Sequence, residues 1–124
     1  MRTDHWYDSC GKGQIHYCRW TPEGEIKGIM QIIHGIAEFV ERYDDFANYL
    51  NAQGYLVVAE DHMGHGQSIE GGSTQGFFHG GWFAAVNDSL KLMKDTMAPQ
   101  EIWEDRKFEN ITQGWWVLPQ FSKR

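Results

Sequence analysis

Two short apolar runs bracket a stretch of helical spacing, and this arrangement constrains the chain more than any other feature. The runs are Lys27–His34 (Lys-Gly-Ile-Met-Gln-Ile-Ile-His) and Tyr55–Glu60 (Tyr-Leu-Val-Val-Ala-Glu). Both are too short for a helix, and neither alternates apolar with polar. That is the profile of a strand buried on both faces. Between them Tyr43, Phe46, Ala47 and Leu50 recur at i, i+3, i+4 and i+7, which is one face of a helix. Asp44, Asp45, Asn48 and Asn51 lie off that face, and Gly54 supplies the stop. Strand, helix and strand, with both strands buried, predict a parallel pair joined by a right-handed crossover.

The flanking segments extend the same pattern. Trp6–Ser9 and Gln14–Trp20 read as strands separated by the turn residues Cys10-Gly11-Lys12-Gly13. Thr21–Glu25, with Pro22 and Gly24, is a second turn. A Gly-rich loop from Asp61 to Gly80 leads to a second helix, closed by Pro99. Its spacing predicts Phe83, Val86, Leu90, Met93 and Met97 facing inward, with Asn87, Asp88, Lys91, Lys94 and Asp95 facing water. Trp82 and Phe83 are expected in the core or at its rim. The element order is therefore β-β-β-α-β-α, an α/β unit over residues 1–99, followed by a tail at 100–124. The tail shows no sustained period of 2 or 3.6, and Trp115–Leu118 is its one strand-like run, ended by Pro119.

At 124 residues the chain is one ordinary domain at most, and its six Trp, five Tyr and seven Phe exclude default disorder. A net charge of −6 without any Lys/Arg cluster argues against nucleic acid or an anionic membrane surface as partner. No uninterrupted apolar run exceeds five residues, whereas a membrane-spanning helix needs about 20. The first residues carry no apolar signal core, so a cytoplasmic location is the expectation, with Cys10 and Cys18 both free thiols.

The chemistry-bearing residues cluster in the turns after the two buried strands. One is His34-Gly35-Ile36-Ala37-Glu38, and the other is Asp61-His62-Met63-Gly64-His65-Gly66-Gln67-Ser68. Carboxyl ends of parallel strands are where α/β sheets place their sites. These turns, with Glu41-Arg42-Tyr43, Phe46-Ala47, Leu50 and Gly54-Tyr55, resemble the monoacylglycerol lipase and lysophospholipase group of α/β-hydrolases, which overlaps the serine aminopeptidase S33 set. The family pattern is similar to HG-x-x-E-x-x-x-RY followed by GY-x-V-x-A-x-DH-x-GHG-x-S. The match is nearly complete over Ile32–Ser68 and looser to about Pro99.

The resemblance implies a hydrolase of carboxylic esters, of the monoacylglycerol or lysophospholipid class, acting through a Ser-His-Asp acyl-enzyme mechanism without a cofactor. It implies a sheet ordered 1-2-4-3, with the Ile36 backbone N–H as one oxyanion donor in a turn shaped by His34 and Gly35. Asp61, His62, Gly64, His65, Gly66 and Ser68 would form a structural loop beside the site. The nucleophile of this fold sits after the second helix in a G-x-S-x-G elbow. None of Ser9, Ser68, Ser73, Ser89 and Ser122 has Gly at both −2 and +2, so the chain is expected to stop short of the elbow and to be inactive alone.

Other readings of the same residues remain. A truncated chain could act only as an interaction fragment. His62 and His65, with His34 or His79, offer nitrogens to a metal, but the spacing is weakly specific and no metal is expected there. Ser68 near His65 could be a displaced nucleophile–base pair, although a loop-capping hydroxyl is the favoured role. Arg42 and Glu38 are expected to form a structural ion pair, and Asp61 to bond loop amides. Without a nucleophile strand beside it, Ile29–His34 is expected to keep a bare edge open to self-association. Pro119 and the polar stretch Glu101–Gln113 argue against Trp115–Leu118 filling it.

Overall fold

The computed structural model describes residues 1–35 and 37–97, together with the backbone of 115–119. Its strands are β1 (Arg2–Asp8), β2 (Gln14–Trp20), β3 (Gly28–Ile33), β4 (Tyr55–Glu60) and β5 (Trp115–Pro119). Two helices are α1 (Asp44–Ala52), entered through a 3-10 turn at Val40–Tyr43, and α2 (Gly81–Met97). The sheet is ordered β1-β2-β4-β3-β5. β1 and β2 form an antiparallel hairpin, β2 meets β4 antiparallel, and β3 pairs with β4 in parallel. The expected 1-2-4-3 arrangement is present, and one further strand lies beyond it.

Period-2 alternation decides which helix covers which face. On β4, Val57 and Ala59 join Cys18, Trp20, Ile32, Val40, Ala47 and Leu50 beneath α1. Leu56 and Val58 point the other way, into a cluster with Ile26, Ile29 and Leu92 of α2. Both faces of β4 are thus apolar, which explains a run with no alternation. Polar anchors fix α1 against the sheet: Trp20 Nε1–H donates to Asp44 Oδ1 at 2.8 Å, and the Asn51 amide donates to the carbonyls of Trp20 and Tyr55. Of the predicted α1 face, Ala47 and Leu50 are buried while Phe46 stays exposed.

The α2 face is a correction. Phe83 is 80% exposed and Trp82 66%, and Val86 and Leu90 are exposed too, whereas Ala84, Ala85, Asp88, Leu92 and Thr96 are buried. Both stripes recur at helical spacing, so period alone does not orient the helix. Polar anchoring does. Asp88 accepts from the Ser9 hydroxyl at 2.7 Å and from the Cys10 N–H, and its carbonyl accepts from the Tyr7 hydroxyl. The Gln31 amide donates to the Ser89 carbonyl, and Ser89 Oγ donates to the buried Glu60. Small residues on this side permit close approach: a Cβ on Gly11 would lie 2.0 Å from the His79 carbonyl oxygen. Cys10 and Cys18 are free thiols, exposed and buried respectively.

The edge of β3 is the second correction. β5 pairs with it in parallel, from Ile29 opposite Trp115 to Ile33 opposite Pro119. The expected bare Ile29–His34 edge, and the self-association surface it implied, are therefore covered. An apolar parallel strand with unpaired backbone groups gains from any neighbour of the right polarity, because the ladder is made by backbone alone. Pro119 is tolerated because it stands at the last ladder position of an edge strand. No helix of the described residues is long and apolar enough to cross a membrane.

This packing makes two outcomes testable. Removing residues 115–124 re-exposes the β3 edge, so concentration-dependent association in sedimentation velocity is expected to exceed that of the full chain, with faster amide exchange over Ile29–Ile33. Asp88→Ala leaves the Cys10 N–H and the Ser9 hydroxyl without their acceptor, and urea unfolding is expected to show a loss of about 2–3 kcal/mol.

Candidate functional site at the carboxyl ends of β3 and β4

Parallel pairing of β3 and β4 ends both strands on the same side of the sheet, and the turns after them are bonded to each other. The Nδ1–H of His34 donates to the Gly35 carbonyl at 2.7 Å, while its Nε2 accepts the His62 backbone N–H at 3.0 Å. In return His62 Nε2–H donates to the His34 carbonyl at 2.9 Å. These bonds set the tautomer of both rings. They also hold the His-Gly turn against the Asp61 loop, as expected from the paired strands. Ile36 lies outside the described residues. Its neighbour Ala37 has φ 64, a left-handed conformation unusual for a residue with a Cβ.

The loop after β4 is braced from within. Asp61 is fully buried; its Oδ1 accepts the Val40 N–H at 2.9 Å, and its Oδ2 accepts the Gln67 N–H and His16 Nδ1–H at 3.1 and 2.8 Å. Gly66 has φ +51, and a Cβ there would lie 2.3 Å from Asp61 Oδ1, so the carboxylate occupies the space a side chain would need. Ser68 is also buried: its hydroxyl donates to the Asp61 carbonyl at 2.7 Å and accepts the His16 N–H at 3.0 Å. Ser73 continues the chain of bonds, donating to the Ser68 carbonyl and accepting the Gly64 N–H. His65 is turned elsewhere, its Nδ1 3.1 Å from the Met63 carbonyl. Ser68 and His65 therefore do not form a side-chain pair.

Glu38 departs from expectation. One carboxylate oxygen accepts the Gly35 N–H at 3.2 Å and the other accepts the Tyr43 hydroxyl. No Glu38–Arg42 ion pair occurs among the described residues. The geometric reason is that Tyr43 and the Gly35 amide lie where the carboxylate folds back onto its own turn. An open cleft of about 420 Å³ adjoins, lined by Glu38, Phe39, His65, Ile69, Gln75 and Phe78. The rings of His34, His62 and His65 cluster, with centroids 4.1 to 6.1 Å apart, and Phe78 leads outward from them to Trp82. The ring nitrogens of His34 and the Nε2 of His62 are committed to backbone groups rather than to a common ligand point, and His79 Nε2 bonds the Thr74 hydroxyl.

The pKa shifts run in opposite directions. Burial, reinforced by the neighbouring His62, lowers the His34 pKa to about 3. Burial also acts to lower His62, but the Glu60 carboxylate 3.5 Å from its Nδ1, the His34 carbonyl and Asp61 together outweigh it and the net shift is upward. The same balance raises His16, which sits between the carboxylates of Asp61 and Asp4. Sequence reading missed this histidine. The available signal was period 2: His16 and Cys18 share one face of β2, and the hairpin register sets Asp4 opposite Cys18.

A family model described as serine aminopeptidase, S33, matches residues 24–106, well over half of the chain. The chain belongs to this family. Among similar proteins, a monoacylglycerol lipase of Mycolicibacterium smegmatis is 40% identical over 67 residues, which are 54% of this chain and 24% of that protein. The monoglyceride lipase of Homo sapiens is 44% identical over 57 residues, 45% of this chain and 19% of that one. Among solved structures, a thermostable carboxyl esterase from Bacillus coagulans superposes with a TM-score of 0.74 at 25% identity, covering 94% of this chain and 35% of the esterase. The S33 chain described here thus spans about a quarter of the length of the bacterial lipase it matches and about a third of that esterase. The sheet order and strand directions agree with an α/β-hydrolase N-terminal portion.

The His34 shift has a definite sign. A histidine kept neutral in the fold and free to protonate when unfolded gives stability that is lost as pH falls below the unfolded value of about 6.5. His34→Gln is expected to flatten the acid limb of the stability profile between pH 6.5 and 3, by up to about 1.4 kcal/mol per pH unit. Denaturant midpoints measured across that range check it.

Proposed function

We propose that this chain is the oxyanion-side portion of a carboxylic-ester hydrolase acting on monoacylglycerol or lysophospholipid substrates. The observation that carries the reading is the reciprocal bonding of the His34 and His62 turns at the carboxyl ends of β3 and β4. A backbone donor is useful in catalysis only if it is preorganised where negative charge develops. The lock between the turns holds His34, two residues before Ile36, and thereby the entry to its turn. In this role the Ile36 N–H stabilises the tetrahedral oxyanion, while His34, Gly35 and Glu38 hold its turn. Asp61, His62, Gly64, His65, Gly66 and Ser68 support the turn from the neighbouring loop and do not touch the reacting atoms. In this reading the nucleophilic Ser sits in a G-x-S-x-G elbow, and it and its Asp and His partners come from a part of the fold other than the described residues.

The neutrality of His34 suits the role. A ring that keeps Nδ1–H on the Gly35 carbonyl and Nε2 free to accept holds the same two bonds through neutral pH. A rival reading, an interaction fragment without catalysis, draws on the exposed Trp82, Phe83, Val86 and Leu90 of α2.

Two measurements test the proposal. The isolated chain is expected to give no p-nitrophenyl ester hydrolysis above a heat-treated control and no fluorophosphonate labelling. Turnover abolished by Ser68→Ala would overturn the assignment of that hydroxyl. Replacing the aligned segment of the Mycolicibacterium smegmatis lipase with residues 24–97 of this chain is expected to retain monoacylglycerol hydrolysis. In that chimera Ile36→Pro, which removes the donor, is expected to lower kcat by about 10²–10³. Ile36→Ala, which keeps it, is expected to stay within a few-fold. Equal effects of the two substitutions would remove Ile36 from the oxyanion role.

A further inference from the structure

Away from the strand-end turns, three metal-ligating side chains converge on one face of the β1–β2 hairpin. Asp4 Oδ1 lies 2.8 Å from His16 Nε2 and 3.2 Å from Cys18 Sγ, and Sγ and Nε2 are 3.9 Å apart. A tetrahedral zinc ion with bonds of about 2.0 Å to N and O and 2.3 Å to S separates such atoms by about 3.3–3.6 Å. The observed separations bracket that spacing: binding lengthens the two Asp4 contacts, to which the 46% exposed Asp4 side chain can adjust, and shortens the Sγ–Nε2 separation by about 0.4 Å. His16 and Cys18 are fully buried, so two of the three donors are held in place by the sheet.

We propose that Asp4, His16 and Cys18 bind a single divalent transition-metal ion, with zinc the best match to an O, N, S donor set. The arrangement around the donors supports this. His16 presents Nε2 because its Nδ1–H is held by the buried Asp61 carboxylate, and a carboxylate behind a histidine is the usual orienting partner of a metal ligand. Asp61 is itself fixed by the Val40 and Gln67 N–H groups. The fourth position lies on the exposed Asp4 side, where water can complete the coordination. The opposite side of His16, towards Glu41 and Asp61, is less suited: Asp61 already accepts three N–H donors, and Glu41 accepts from the Gln67 amide.

Without metal, the Cys18 thiol donates its proton to Asp4, and His16 Nε2–H bonds the same oxygen. The ion replaces both protons: the S–H and Nε2–H bonds break, two protons leave to solvent, and metal–sulfur and metal–nitrogen bonds form. Affinity therefore rises with pH. The other charged groups facing the site are Arg2 on β1, Glu41 in the turn before α1, and Asp61 after β4. The ion would pin the outer hairpin to the loop after β4, a structural role separate from ester hydrolysis.

Titrating the untagged full chain with Co²⁺ tests the site. One equivalent with a thiolate charge-transfer band, displaced by Zn²⁺ and tightening from pH 6 to 8, is expected. Asp4→Asn and Cys18→Ser are each expected to weaken binding about 100-fold, whereas Cys10→Ser and Glu41→Gln leave it within a few-fold. Circular dichroism establishes that each variant folds, and if Cys18→Ser does not, Asp4→Asn decides alone. Absence of a thiolate band, or binding lost in Cys10→Ser or Glu41→Gln instead, overturns the proposal.

Discussion

A single buried carboxylate organises this molecule. Asp61 has no exposure to water, and moving an ion of its size out of water costs several kcal/mol unless its oxygens are satisfied. Here they are, by donors from three separate stretches of chain: Val40 from the turn before α1, Gln67 from the loop after β4, and His16 from β2. Losing any one donor leaves a partly bare charge, so the three stretches hold each other. Gly66 belongs to the same constraint, because its missing Cβ is where the carboxylate sits. The turn that carries Ile36 is entered from β3 and left through Val40, and so is anchored at its far end by Asp61 and at its near end by His62.

The strands and the helix between them were legible because burial leaves its mark directly on composition. Tyr55–Glu60 and Gln14–Trp20 coincide with the observed strands, and the parallel pairing could be inferred from the helix between the apolar runs. The face of α2 was not legible. Phe83, Val86 and Leu90 on one side, and Ala84, Asp88, Leu92 and Thr96 on the other, make two stripes of the same period, and the buried one is chosen by hydrogen bonds to the β1–β2 turn. Those bonds link residues about eighty positions apart, beyond the reach of any local pattern. Trp115–Leu118 reads as strand-like, yet the sequence argues against the pairing with β3 that the structure shows. Pro119 weighs against a central strand but not against the final position of an edge one.

The site was legible to the extent that it is written in turns. His34-Gly35 and Asp61-His62 declare themselves by position after buried strands, and Ser68 proved to be a buried bracing hydroxyl. Glu38 was assigned the wrong partner because spacing along a turn cannot distinguish a cation four residues on from a phenol five residues on. His16 was silent because its role depends on two carboxylates brought from different strands and loops. An imidazole between Asp4 and Asp61 is a product of register, and register is set by the whole sheet.

The pairing of β5 with β3 says something about how such a sheet can be rebuilt. A parallel ladder is written in N–H and C=O groups, and these are the same in nearly every residue. What β3 offers at its outer side is therefore a generic socket, specific for direction and length but almost indifferent to side-chain identity. β3 presents this socket to β5, and nothing in the ladder itself reads the side chains of either strand. The bonds centred on Asp61 come from Val40, Gln67 and His16, none of them in β5, so the seam at β3 and the Asp61-centred half of the molecule are separable constraints.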